Sequence, residues 1–204
     1  MTTFYLIRHG QTEWNRERRI QGHLDVKLSE EGREQALRAG QALQGEGIEY
    51  IYSSDLSRAL ETATIIAQEL EMPVAGTLCD LREINFGDWE GMSIEQIAAE
   101  EPEAFAEWRE DTVNRPVPGG ESFGMMAKRV LKCIIDLGKK HPENKVAVVT
   151  HGGPIVYTLG WIMKLTLEEQ LQIKIANCSI SIVEYDPQAG EWEILKLNDT
   201  SHLD

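Results

Sequence analysis

Apolar residues along the chain follow two alternating rhythms. Short unbroken runs read as buried strands: Phe4-Tyr5-Leu6-Ile7 within residues 3–8, "IEYIYSS" at 48–54 and "KVAVVT" at 145–150, with a weaker run at 74–78. Between them the spacing lengthens to the three-and-four step of amphipathic helices. Residues 29–45, opened by Ser29, place Ala36, Leu37, Gly40 and Leu43 on one face. Residues 55–71 do the same with Leu56, Ala59, Leu60, Ala63, Ile66 and Leu70. Ser93-Ile94-Glu95-Gln96 has the spacing of a capping box, so a helix starts there, and Pro102 separates it from a second short helix carrying Phe105 and Trp108. After the turn "PVPGGES", residues 121–138 form a strongly amphipathic helix through Phe123, Met126, Val130, Ile134 and Leu137. A further helix is expected from about 153 to 163. Strands near 179–185 and 191–197 follow, joined by the turn "DPQAG" into a hairpin.

Strands that alternate with helices imply an α/β fold, a three-layer sandwich around a mixed, mostly parallel sheet. No linker or shift of composition divides the 204 residues, so one domain is expected, with residues 80–120 as an excursion over one end of the sheet. A composition of 42% hydrophobic and 26% charged residues is that of a globular chain able to bury a substantial core. The three cysteines, Cys79, Cys133 and Cys178, are widely spaced without a CxxC pair. That pattern suits a reducing compartment rather than a disulfide framework or a zinc site, and the absence of a signal-like start makes the cytoplasm the expected location. The net charge is −14, from 34 acidic against 20 basic residues. Such a surface disfavours nucleic acid and anionic membrane as partners. Any anion this protein holds must be held by a local cluster of cations.

In open α/β sheets, ligands gather where the strands end. The first strand delivers Arg8-His9-Gly10, the second Ser53-Ser54-Asp55 with Arg58 one turn later, and the strand at 145–150 delivers His151-Gly152-Gly153. Two arginines and two histidines thus converge on one edge of an acidic protein. A cation in the first turn of a helix opposes the helix dipole by ~0.3–1 kcal/mol, which makes sense for Arg58 if an anion lies between them. Its alternative is an ion pair with Asp55 or Glu61. The set suits phosphoryl transfer, with guanidinium forks gripping the equatorial oxygens, one histidine attacking phosphorus and the other stabilising the oxygens. The leaving alcohol needs a proton, and "LREINFGDWEG" (81–91) supplies Glu83, Asp88 and Glu90. Glu83 is chosen because Phe86 and Trp89 are placed to desolvate it; its alternative is a pair with Arg82. No metal-ligand spacing and no nucleotide-loop motif occurs, so neither metal nor cofactor is expected. His141 is read as a helix C-cap, and His23 and His202 as loop residues able to edge the pocket.

"LIRHGQTEWN" resembles the signature of the histidine phosphatase superfamily, the phosphoglycerate mutase-like proteins. The likeness continues through "QGHLDVKLSEEGREQA", "YSSDLSRALETA", "LREINFGDWEGM", "PGGES", "VVTHGG" and "LNDTSHL". It implies that His9 is the phosphorylated nucleophile, that Arg8, Arg58 and His151 complete the phosphate pocket, and that Glu83 is the proton donor. It also implies substrate contacts at Asn15, Gln21 and Gly22. Gly152, beside His151, and His202 are taken as further substrate-side positions, His202 toward the end of the substrate away from the phosphate. Family mutases usually carry a longer, basic insertion where residues 98–117 here are short and hold six acidic residues with only Arg109 and Arg115. The chain therefore looks more like the bacterial phosphatase branch, which includes broad-specificity, α-ribazole and phosphoserine phosphatases. The expected activity is hydrolysis of a small phosphorylated metabolite. The alternatives are a phosphoglycerate mutase and a non-catalytic phosphate sensor on the same fold. Arg16, Arg18 and Arg19 leave room for an anionic substrate group, their favoured alternative being a solvated loop, and a homodimer through an apolar edge strand is compatible with the pattern.

Overall fold

A computed structural model describes residues 1–170 and 172–204. The strands are β1 (Thr2–Arg8), β2 (Tyr50–Ser53), β3 (Gly76–Thr77), β4 (Lys145–Thr150), β5 (Ile180–Asp186) and β6 (Glu191–Asp199). The helices are α1 (Glu13–Arg16), α2 (Glu30–Ala42), α3 (Ser57–Glu69), α4 (Ile94–Glu100), α5 (Pro102–Glu110), α6 (Phe123–Lys140), α7 (Gly152–Ile162) and α8 (Leu167–Gln170). The strands form one sheet in the order β3-β2-β4-β1-β5-β6. The first four run parallel, while β5 runs antiparallel to β1 and pairs with β6 as a hairpin. The expected mixed, mostly parallel sheet is therefore present.

The buried runs alternate between two faces because successive strand side chains point oppositely. Phe4, Leu6, Val146 and Val148 pack with Met126, Val130, Ile134 and Ile155 of α6 and α7. Tyr5, Ile7, Ala147 and Val149 pack with Ala36, Ala39, Ala63 and Ile66 of α2 and α3 on the other face. The helix contacts on this second face rely on small residues. A Cβ added at Gly40 would lie 2.8 Å from the Glu69 Cβ, so α2 and α3 approach closely. That close approach leaves Leu37 only half-buried and puts Ala39 in the core instead.

Local signals set most boundaries. Ser29, Ser93 and Ser122 each cap a helix N-terminus through the side-chain oxygen, and Ser93 with Gln96 forms the reciprocal capping box. The helix expected from 55 begins at Ser57, because Leu56 is still extended (ψ 135°), and this places Arg58 at its second position. The one-turn helices α1 and α8 were not legible from periodicity, being too short to show a period. Residues 80–120 form their own small apolar cluster from Trp89, Ile97, Trp108 and Val117. Among the described residues no helix is long and apolar enough to cross a membrane.

The turn after β1 meets the start of α2 backbone to backbone. A Cβ at Gly32 would fall 2.1 Å from the Gln11 carbonyl oxygen, and one at Gly10 would fall 2.3 Å from the Gly32 oxygen. Neither neighbour is a side chain that can swing aside. Gly32→Ala should therefore destabilise the fold by about 1–3 kcal/mol, the usual cost of overpacking. Urea unfolding measures this directly, and an unchanged midpoint would contradict the contact.

Candidate active site

Register brings the strand ends level. Arg8 pairs with Thr150 and Ser53 with Val149, so His9, His151 and Ser54 emerge side by side at one edge of the sheet. The His9 and His151 rings meet edge-on with centroids 5.1 Å apart. Arg58 reaches the same place from the first turn of α3, fully buried. A cleft of about 160 Å³ opens here, lined by Arg8, His9, Asn15, Arg19, Gln21, Gly22, Arg58, Glu83 and Phe86. The four cationic or imidazole residues and the chosen acid are thus together.

Arg58 does not form the ion pair that was its alternative. Asp55 pairs with Arg82 and Glu61 with Arg33. The Arg58 guanidinium is held by backbone carbonyls instead, donating from Nη1 to Leu24 O (2.9 Å) and from Nη2 to Gly22 O (2.7 Å). Burial lowers its pKa to about 10, which leaves it charged at neutral pH. Arg8 donates from Nη1 to Ile175 O at 2.6 Å, and burial lowers its pKa as well. The Nε atoms of both arginines and Nδ1 of His151 are buried without a hydrogen-bond partner among the described residues. Orphaned buried donors are costly, and the two arginine Nε–H groups at one cleft describe a seat for an anion.

His9 is held as a neutral imidazole with one ring nitrogen free. Its Nδ1 lies 2.7 Å from Gly10 O, which can only accept, so Nδ1 carries the proton and the lone pair is on Nε2. Burial, and then Arg58 and Arg8, push its pKa well below the usual histidine value, so the ring stays neutral. His151 is held by Ser54, with Nε2 2.9 Å from the Ser54 Oγ, and burial likewise keeps it neutral. As the N-cap of α7 it sits at the helix end that favours negative charge.

Glu83 is likewise not paired with its sequence neighbour, since the Arg82 Nε donates to Asp55 Oδ1 at 2.7 Å. Its carboxyl oxygens accept from Ile84 N–H (3.0 Å) and from Gly153 N–H (3.2 Å) in the first turn of α7. Phe86 lines the cleft as expected, but Trp89 does not cover Glu83. It is buried in the excursion's own cluster, with Nε1 donating to Glu101. Asp88 is exposed, and Glu90 is occupied, accepting from the backbone N–H groups of His23 (2.7 Å), Leu24 (2.9 Å) and Phe86 (3.1 Å).

The remaining candidates divide. Asn15 lines the cleft, with its Oδ1 turned back to Thr12. Gln21 also lines it, and Gly22 (φ +50°) contributes the carbonyl that holds Arg58. Gly152 lies against the Arg8 guanidinium, where an added Cβ would stand 3.6 Å from Nε. His202 is not brought to the cleft. Its Nε2–H donates to Cys178 O at 3.0 Å, and the ring lines a separate hollow with Tyr5, Leu43 and Lys196. His23 donates from Nε2 to the Glu83 carbonyl (2.9 Å), and Arg19 reaches the cleft wall beside an ion pair with Glu17. His141 does cap α6, but its buried ring hydrogen-bonds Tyr52 OH, and burial lowers its pKa, so it is no cationic cap.

Three supporting residues were missed. Arg129 of α6 grips both Glu121 oxygens and donates to the carbonyls of Asp80, Arg82 and Glu83, fixing the backbone that carries the acid. Ser54 orients His151. Asn177 donates to His9 O and to Asn15 Oδ1. Asn177 precedes β5, and because β5 is antiparallel its start lies at the same edge where the parallel strands end. A search restricted to residues that follow strands passes over it.

Known proteins resemble this chain in sequence and fold. The sequence is 38% identical over 204 residues to phosphoglycerate mutase-like protein 4 of Arabidopsis thaliana, covering 98% of this chain and 86% of that protein. The structure of Bacillus stearothermophilus YhfR superposes with a TM-score of 0.91 at 33% identity, with 100% of each chain covered. A mycobacterial glucosyl-3-phosphoglycerate phosphatase complexed with VO3 gives a TM-score of 0.85 at 33% identity, covering 97% of this chain and 99% of that one. Residues 4–200, spanning the RHG turn, the Arg58 helix, the Glu83 loop and His151, match the histidine phosphatase superfamily, branch 1. The chain is an enzyme of that superfamily.

Proposed function

We propose that this enzyme hydrolyses small phosphate monoesters in two steps through a phosphohistidine on His9, without a metal ion. The observation that carries the reading is the neutral His9, with its lone pair on Nε2, set beside the buried Arg58 and the half-buried Arg8, whose Nε donors have no partner among the described residues. The phosphoryl group takes those donors, and its charge is neutralised by Arg8 and Arg58. Nε2 attacks phosphorus, the bond to the ester oxygen breaks, and Glu83 in its protonated form gives that oxygen its proton. In the second step the Glu83 carboxylate takes a proton from water. The water oxygen attacks phosphorus, the P–N bond breaks, and its electron pair returns to Nε2.

Transfer to water rather than to a second substrate is supported by the excursion. Its helices α4 and α5 are short and carry acidic residues, which offer an anionic acceptor little to hold it. The phosphatase among the similar structures supports the same reading, whereas the mutase-like name of the Arabidopsis protein favours isomerisation of a phosphoglycerate. Measuring inorganic phosphate released against isomer formed from 3-phosphoglycerate separates them, and a dominant isomerase rate would overturn hydrolysis.

Rapid quenching should trap an acid-labile phosphoenzyme in the wild type, undiminished by EDTA and absent from His9→Ala. Full activity in His9→Ala would sink the mechanism. Glu83→Gln should slow hydrolysis of alkyl phosphates ~10²–10⁴-fold, the typical worth of a general acid, and aryl phosphates with good leaving groups much less. Equal losses on both classes would mean the proton comes from elsewhere. The burial that lowers the His9 pKa favours its neutral form, so lowering the pH from 7 to 6 should leave it unprotonated. An ordinary histidine, with a pKa near 6.5, would be about three quarters charged at pH 6. ¹⁵N chemical shifts of the free protein report this, with the expected Nδ1–H tautomer persisting across the range.

A further inference from the structure

One loop touches three of the site residues, Arg8, His9 and Asn15, at once. Residues 175–178 lie between α8 and β5. Ile175 O accepts from Arg8 Nη1 (2.6 Å), and Cys178 N–H donates to Arg8 O (3.0 Å). The two N–H bonds of the Asn177 amide go separately to His9 O (2.9 Å) and to Asn15 Oδ1 (3.2 Å). The loop is itself fixed from beneath by the end of β6 and the turn after it. Ala176 N–H donates to Asn198 Oδ1 (2.8 Å), and His202 donates to Cys178 O (3.0 Å). Cys178 and Asn198 both hold left-handed backbones, at φ 53° and 51°. Non-glycine residues keep that conformation only where the surroundings impose it.

The Asn15 amide shows what the loop achieves. Its Oδ1 accepts three hydrogen bonds, from Thr12 N–H (3.0 Å), from Thr12 Oγ (3.1 Å) and from Asn177. All three partners donate, so the atom facing them is the oxygen, and the NH2 group is turned the other way. That group has no acceptor among the described residues, and Asn15 lines the cleft beside His9 and Arg58. Thr12 alone belongs to the same short turn and moves with Asn15. Asn177 comes from across the sheet and ties that turn to His9.

We propose that Asn177 is a positioning residue: it fixes the face of the Asn15 amide that donates to the phosphoryl group and holds that donor in register with His9. The proposal rests on the phosphate-binding reading of the cleft. Asn177 acts through Asn15 and the His9 backbone and makes no contact with the substrate itself. This also gives His202 a role. It supports the loop under the pocket, where the sequence had suggested contact with the substrate.

Calorimetric titration with inorganic phosphate tests the coupling in a cycle of wild type, Asn15→Ala, Asn177→Ala and the double variant. A hydrogen bond to a charged group is worth enough that each single change should weaken phosphate binding on the order of ten-fold. Because both remove the same donor, the double variant should bind about as weakly as the worse single one. A purely structural role for Asn177 would instead multiply the losses, to about a hundred-fold in the double variant. The near-isosteric Asn177→Asp, which cannot donate, is run in the same cycle so that the comparison does not depend on the alanine variant folding. Its carboxylate repels the Asn15 oxygen and also faces His9 O, so its loss should exceed that of Asn15→Ala and should be markedly smaller, though not abolished, when Asn15 is alanine. Multiplied losses, or unchanged binding in both Asn177 variants, would overturn the proposal. Failure of the wild type to bind phosphate would overturn the reading of the cleft on which it rests.

Discussion

Two guanidinium groups, Arg58 buried and Arg8 half-buried, lie at the end of a sheet, held among the described residues by backbone carbonyls. Removing a charge from water is expensive unless the protein replaces the lost hydration. Here the replacement comes from Gly22, Leu24 and Ile175, whose carbonyl oxygens accept from Arg58 and Arg8. Dipoles of this kind satisfy some of the N–H groups without cancelling the charge. The positive field therefore survives for a ligand, which an ion pair with Asp55 or Glu61 would have extinguished. The same field, together with burial, keeps His9 neutral, so one arrangement both favours an anion and leaves His9 unprotonated.

Much of the surrounding structure keeps those carbonyls in place. Glu90 binds the N–H groups of His23 and Leu24 on one side of the 22–24 loop, while its carbonyls face Arg58 on the other. Gly22 permits that arrangement through its positive φ and because an added Cβ would overlap the Glu90 carboxylate. Glu90 also binds Phe86 N–H, and so joins the arginine's cradle to the loop that carries Glu83. Arg129 secures the other side of that loop through three carbonyls. Carboxylates and cations that resemble catalytic candidates in the sequence thus serve as struts, each positioned where several backbone groups need one partner.

Legibility followed the range of the interactions. Arg8, His9, Arg58 and His151 could be assigned to one edge because strand direction and the three-residue step into α3 place them, and both are local properties. Glu83 was separable from Asp88 and Glu90 by its place after a short strand and before an aromatic turn expected to cover it, and by the family likeness. Phe86 met that expectation, whereas Trp89 turned into a cluster with Trp108 that lies outside the reach of any local pattern. Asn177 escaped because reading sites from strand ends presumes parallel strands, and β5 reverses. His202 was placed at the correct edge but in the wrong layer, beneath the 175–178 loop.

By itself the sequence determined the alternation of strands and helices, the caps that begin α2 and α4, and the set of cationic residues collected at one end of the sheet. Those features depend on neighbours within a few residues along the chain, where side-chain periodicity and capping act. Only the tertiary structure decided which donors remain unpaired, which carboxylate faces the cleft and which way the Asn15 amide points. Each of those depends on a partner far along the chain, 162 positions in the case of Asn177 and Asn15, brought close only by the order in which the strands pair.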